Sequence, residues 1–264
     1  MTDARIIAVA NQKGGVGKTT TAINLATAMV ACQQRVLLID NDSQGNASTG
    51  LGISQTQRRV TIYDLYADPA LAQEAIISTT IKGLDVISAS VDLAAAEIEL
   101  VQIEGRANRL KEVCGGLSQQ YDYIFIDCPP ALGMLTINAL TAAQSLIIPL
   151  QCEFYALEGL GQLLKTVERI QNTSNPDLEI QGIVLTMYDR RNNLSDAVAV
   201  DVRGHFGDKV YQTIVPRNVK ISEAPSFGKP AILHDFKSKG AQAYIKLASE
   251  VMQQERQHAR REAV

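Results

Sequence analysis

One stretch near the N-terminus limits the possible folds more than any other. Ile6 to Ala10 is an apolar, strand-sized run that passes into Asn11, Gln12, Lys13, Gly14, Gly15, Val16, Gly17, Lys18, Thr19 and Thr20, and a helical pattern over Thr19–Cys32 follows. A strand, a glycine loop and a helix start, in that order, make a phosphate cradle. The glycines let successive backbone N–H groups curl around phosphate oxygens, the helix N-terminus adds its positive end, and Lys18 reaches the β and γ phosphates. Thr19 puts a hydroxyl where it can hold magnesium, and Thr20 continues the phosphate-facing turn. The loop departs from the usual GxxxxGK[ST] spacing in having Lys13 where that pattern has its first glycine. Because Lys18 already covers the phosphates of its own loop, Lys13 is free to reach the nucleotide of another subunit. The expectation is a dimer that encloses its nucleotides.

The rest of the chain supplies the alternation that such a loop needs. Strand-like runs at Ile6–Ala10, Val36–Asp40, Leu84–Ser88, Tyr123–Asp127, Ser145–Leu150, Ile180–Thr186 and Val210–Val215 are interleaved with helical patterns. Those patterns cover Thr19–Cys32, Arg106–Gln119, Met134–Ala143, Leu157–Thr173, Ser195–His205 and Ala241–Met252. This predicts an α/β fold of the P-loop NTPase type, a mostly parallel twisted sheet with helices on both faces joined by right-handed crossovers. At 264 residues and 46% apolar, with no linker, repeat or low-complexity stretch, the chain is expected to form a single domain over 1–264.

Two acid-bearing segments complete the site. Asp40 and Asp42, in Asp40–Asn46, fall just beyond the carboxyl end of a strand and beside the glycine loop, where paired acids suit magnesium and water. Asp127 ends a run of four apolar or aromatic residues and precedes Cys128, Pro129 and Pro130, a Walker B pattern in which the acid holds magnesium through its water shell.

In combination, the KGGVGKTT loop, the Asp40–Asn46 segment and FIDCPP resemble the deviant Walker ATPases of the ParA/MinD group. LTINAL (Leu135–Leu140), PLQCEFYALEGL (Pro149–Leu160), LTMYDRR (Leu185–Arg191) and VPRNVKISEAPSFGKP (Val215–Pro230) extend the resemblance to the ParA/Soj chromosome-partition subfamily over nearly the whole chain. Asn41 and Ser43 depart from the pattern, which usually has an apolar residue and a proline there, but both acids are intact. The resemblance implies an ATP- and Mg2+-dependent homodimer that binds double-stranded DNA without sequence preference. Hydrolysis, stimulated by a ParB/Spo0J-type centromere-binding partner, would release the DNA. It also implies roles: Asp42 orients the attacking water, Lys13 contacts the partner's ATP, Gly14 lies at the dimer contact, Pro216 and Asn218 meet the adenine, and Arg191 and Lys220 bind DNA.

Net charge bears on the DNA reading. Lys and Arg number 25 against 28 Asp and Glu, a net −3, so DNA binding must come from a local patch rather than a polycationic surface. Arg190 and Arg191, Arg217 and Lys220, and Lys237 and Lys239 are the candidates. The chain reaches its first strand at once, so neither an export signal nor an N-terminal helix-turn-helix extension is expected, and the protein is read as cytoplasmic and nucleoid-associated. Its apolar runs are far shorter than the roughly 20 residues of a membrane span. The tail Gln253–Val264 has no Leu, Ile, Phe or Trp to face a lipid surface and is expected to be a frayed, solvated end. Cys32, Cys114, Cys128 and Cys152 form no CxxC pair and are expected to be reduced core thiols. The same loop would serve a MinD-like membrane-positioning ATPase, a ParA-like positioner of carboxysomes or chemotaxis clusters, or a redox relative such as the nitrogenase iron protein. Cys114 precedes the Asp127 strand, whereas the cluster cysteine of that last group follows it.

Overall fold

In the computed structural model, which describes residues 3–153 and 156–262, eight strands share one sheet. They are β1 (Arg5–Val9), β2 (Val36–Asp40), β3 (Ile76–Ser78), β4 (Leu84–Ile87), β5 (Tyr123–Asp127), β6 (Ser145–Gln151), β7 (Glu179–Tyr188) and β8 (Val210–Pro216), in the order β3-β4-β2-β5-β1-β6-β7-β8. Every pairing is parallel except β3 with β4. All seven predicted strands are present. The edge strand β3 was not predicted, because three residues returning antiparallel on their neighbour are too short to carry a pattern.

Central strands buried on both faces read as continuous apolar runs. Ile6 and Ala8 of β1 enter one core, with Leu37 and Ile39 of β2 and Ile124 and Ile126 of β5. Ile7 and Val9 enter the opposite one, with Leu38, Phe125 and the apolar side of the helix Lys18–Ala31. The outer edge of β8 is closed by side chains instead of a ninth strand. Glu250 accepts the N–H groups of Gln212 and Thr213 at 2.6 and 3.0 Å, and Arg203 donates to the carbonyl of Tyr211 at 2.8 Å, so the edge offers little to another strand.

Three expectations need correction. The last helix runs Lys239–Glu262, well beyond Met252, and its tail is not wholly solvated: Glu255 pairs with Arg5 at 3.0 Å. The tail's side chains beyond Gln257, and Ala263 and Val264 altogether, lie outside the described residues, as do Phe154 and Tyr155 of the PLQCEFYALEGL segment. The helix predicted over Arg106–Gln119 is confined to Arg109–Leu117. Cys114, Cys128 and Cys152 are buried free thiols, but Cys32 is exposed, since it directly follows the last turn of its helix.

Register alone assembles the site. Asp127 pairs with Asp40 on one side and Val9 on the other, so two carboxylates and the start of the glycine loop come to the same carboxyl-terminal edge of the sheet. Because β1 sits between β5 and β6, the chain can leave its carboxyl end into an open crevice, the place where ligands bind in sheets of this kind.

Candidate nucleotide site

The phosphate loop is built for a close approach of backbone to ligand. Gly15 and Gly17 adopt φ of +73° and +88°, a left-handed conformation that a side chain would resist, and Gly17 ends the loop directly before the helix Lys18–Ala31. Neighbouring strands brace the loop. Asn11 Nδ2 donates to the Pro149 carbonyl at 2.7 Å while its Oδ1 accepts the Lys13 N–H at 3.1 Å. The Thr186 hydroxyl donates to the Val16 carbonyl at 2.8 Å. Neither Asn11 nor Thr186 was singled out from the sequence; their role shows only when the ends of β6 and β7 are seen beside the loop.

The two loop lysines face different ways. Lys18 is 7% exposed, and its Nζ donates to the Lys13 carbonyl at 3.0 Å. Burial lowers its pKa, with Asp127 the largest opposing influence, so an anionic ligand here would relieve a poorly solvated cation. Lys13 points away instead, and its Nζ pairs with Glu153 at 2.7 Å.

The three acids differ in how well they are satisfied. Asp40 is fully buried, and its Oδ2 accepts the N–H and the hydroxyl of Ser48 at 2.7 and 2.6 Å. Burial pushes its pKa up to about 6, held back by the Ser48 bonds. Its carboxylate therefore anchors the short helix Asn46–Gly50 to the strand end. Asp42 is 8% exposed and accepts the Gln44 N–H at 3.0 Å. Asp127 is fully buried and neither of its oxygens has a hydrogen-bond partner; the Thr19 hydroxyl, which faces it, falls short of hydrogen-bond geometry. Burial, and then the neighbouring Asp40 carboxylate, push its pKa well above the ordinary range.

Such an orphaned carboxylate fits a cation. Among the described residues no three His, Cys, Asp or Glu side chains converge as a self-sufficient metal cluster, so a magnesium ion here would need phosphate oxygens and water as well. Asp127 and Thr19 have the free oxygens for it, whereas Asp40 is largely committed to Ser48.

Two concavities are lined by candidate site residues. One, of about 260 Å³, is lined by Thr19, Thr20, Asn24, Asn46, Pro225 and Lys229. Pro216 and Asn218 are not among its lining residues. Asn218 instead caps the helix Val219–Glu223 by accepting the Lys220 N–H at 2.9 Å. The second is a groove of about 1050 Å³ beside the carboxyl ends of β7 and β8. It gathers Arg190, Arg191, Arg217, Lys237, Lys239 and Lys246. Five of these six were candidates from sequence; Lys246 was not, because a lysine on a long helix gives no signal of its own. Asp189 also lines the groove and pairs with Arg191 at 2.7 Å. Lys220 does not line it and pairs with Glu223 at 2.9 Å.

A parallel sheet whose switch point carries a glycine loop, a buried lysine and an orphaned Walker B acid defines a P-loop nucleotide-binding protein. The AAA domain family model matches residues 4–180. The chain is 60% identical over 254 residues to the chromosome partitioning protein ParA of Caulobacter vibrioides, covering 96% of this chain and 95% of that one. It is 55% identical over 247 residues to the sporulation initiation inhibitor protein Soj of Bacillus subtilis, with 94% and 98% covered. Among solved structures, a Mycobacterium smegmatis protein described as cobyrinic acid a,c-diamide synthase, with bound ADP and magnesium, superposes with a TM-score of 0.83 at 37% identity, covering 94% of each chain. The chain belongs to the ParA/Soj family of chromosome-partitioning ATPases. It is an ATPase whose cofactors are ATP and Mg2+. No helix among the described residues is long and apolar enough to cross a membrane.

Proposed function

We propose that this chain is an ATP-gated DNA-partition switch. In its ATP state it forms a homodimer that holds double-stranded DNA of any sequence, and hydrolysis, stimulated by a ParB-type centromere-binding partner, releases the DNA. It would act in the cytoplasm on the nucleoid. The observation that carries this reading is the groove with six cationic side chains on a chain of net charge −3. Clustered cations neutralise backbone phosphates, and a dimer that doubles the cluster raises affinity steeply, because counterion-release contributions add in log K. DNA binding then follows dimerisation, and dimerisation follows ATP.

Each residue has a part in this scheme. The amides of Gly14, Gly15, Val16 and Gly17, with Lys18, Thr19 and Thr20, hold the phosphates; Thr19 and Asp127 hold magnesium, which neutralises charge on the phosphate oxygens. Asp40 fixes the turn that carries Asp42, and Asp42 orients the attacking water. Lys13 exchanges Glu153 for the partner's nucleotide, next to Gly14 at the dimer contact. Pro216 and Asn218 meet the adenine by an adjustment of the β8 end, since neither lines the cleft beside Thr20. Arg191, Arg217 and Lys220 contact DNA, Arg191 and Lys220 after leaving their local carboxylates.

Asp42→Ala tests the scheme. It is expected to keep ATP binding and ATP-driven dimerisation by light scattering while losing turnover, because it removes a carboxylate aimed at water and no phosphate contact. Wild-type turnover in the variant would refute the role.

A further inference from the structure

The residue between Asp40, which ends β2, and Asp42, just beyond it, is buried and polar. Asn41 is inaccessible to solvent, yet it makes three hydrogen bonds to three different segments. Its backbone N–H donates to the carbonyl of Asp127 at 3.0 Å, its Nδ2 donates to the carbonyl of Leu135 at 3.0 Å, and its Oδ1 accepts the hydroxyl of Tyr66 at 2.9 Å. Tyr66 is 3% exposed, so its hydroxyl also needs a partner inside the protein.

Both anchors are themselves fixed. The helix Ile62–Ala67, which carries Tyr66, begins with a cap in which the Thr61 N–H and hydroxyl both donate to the Asp64 carboxylate at 2.7 and 3.0 Å. The helix Met134–Ala142, which carries the Leu135 carbonyl, has its first N–H groups bound by Glu97 at 2.7 and 3.3 Å. The turn holding Asp42 is closed on itself by the Gln44 N–H on the Asp42 carboxylate at 3.0 Å and the Gly45 N–H on the Asp42 carbonyl at 2.9 Å, but its N-terminal side is tied to Asp40 only by the Asp42 N–H at a long 3.4 Å, next to Asn41.

We propose that Tyr66 and Asn41 form a strut that positions Asp42 for hydrolysis. Tyr66 is the positioning residue, acting through Asn41 on the adjoining carboxylate. The inference rests on the reading of Asp42 as the water-orienting group. Asn41 ties the Asp42 turn to the strand that ends in Asp127, so the two acids keep one relative geometry.

The test compares steady-state turnover on Mg·ATP, nucleotide affinity and thermal melting for the wild type, Tyr66→Phe, Asn41→Leu with Tyr66→Phe, and Asp42→Ala. Tyr66→Phe removes one oxygen and leaves Asn41 Oδ1 without a donor, and it is expected to lower kcat about tenfold with KM for ATP unchanged. The double variant leaves neither a hydroxyl nor an amide to satisfy at this contact, so its melting is expected to recover toward the wild type while kcat stays about tenfold low because the strut is still absent. Recovery of kcat as well would show that the loss came from an unsatisfied amide and would overturn the strut. Unchanged kcat in Tyr66→Phe, or a loss in both variants that tracks the folded fraction in the melts, would overturn the strut. If Asp42→Ala is inactive while Tyr66→Phe is normal, only the strut fails; if Asp42→Ala turns over normally, the Asp42 reading fails and takes the strut with it.

Discussion

Replacing Asp127 with Asn is expected to stabilise the nucleotide-free chain while abolishing its turnover. The side chain is fully buried, neither oxygen accepts a hydrogen bond, and Asp40 lies beside it in the parallel register. At neutral pH the fold must therefore contain either an unpaired buried carboxylate or a protonated one. Keeping a carboxyl group of reference pKa about 3.9 protonated costs about 1.4 kcal/mol for each pH unit above that value, hence at most about 4 kcal/mol at pH 7. Attraction to Lys18 lowers this ceiling. Asn is nearly isosteric and needs no proton. A carboxyl whose pKa is raised by folding stabilises the native state fully below about pH 3.9, and that contribution is lost as pH rises toward the folded value. The advantage of the Asn variant is thus absent near pH 4 and grows upward. At about 2–4 °C per kcal/mol for a chain near this size, nucleotide-free melting should rise by several degrees at pH 7 to 8. Added Mg2+ with ATP should raise the wild-type melt further through binding linkage, and the variant should lack the magnesium-dependent part. A variant that melts below wild type throughout, or whose advantage grows toward acid, would refute the reasoning.

Other substitutions probe separate parts of the account. Gly182→Ala would place a Cβ 2.5 Å from the Tyr211 ring between β7 and β8, and should cost about 1–3 kcal/mol in a denaturant titration while leaving KM for ATP unchanged. Lys13→Gln breaks a half-exposed pair with Glu153, so stability should fall by no more than about 1 kcal/mol while the ATP-driven dimer disappears from light scattering. Arg217→Ala and Lys246→Ala should each weaken duplex binding and flatten the salt dependence of log K by about one unit per lost phosphate contact, with the ATP-bound dimer intact. Arg191→Ala and Lys220→Ala are expected to weaken DNA binding likewise, and loss of the dimer in either would make that residue structural instead.

The sequence made the sheet and the phosphate loop legible for a physical reason: strands buried on both faces have to be apolar runs, and a loop that wraps phosphate has to contain glycine. Register then converts two separate strand ends, Asp40 and Asp127, into neighbours, so naming those acids was nearly enough to build the site. The short elements were not legible. β3 and the helices Asn46–Gly50 and Ile62–Ala67 are too brief to show a period, and they are held by contacts such as Ser48 on Asp40 and Tyr66 on Asn41 that exist only after folding. Partner choice was equally hidden. Glu153 opposite Lys13 and Lys246 among the groove cations come from elements remote in sequence, and nothing local marks either one.

Binding of the purified protein to a random-sequence duplex with ATP, with ADP and without nucleotide, across a salt series and beside anionic liposomes, tests the central claim most directly. DNA binding is expected only with ATP, fading steeply as salt rises, with no liposome binding. Liposome binding without DNA binding, or DNA binding indifferent to nucleotide, would contradict the claim.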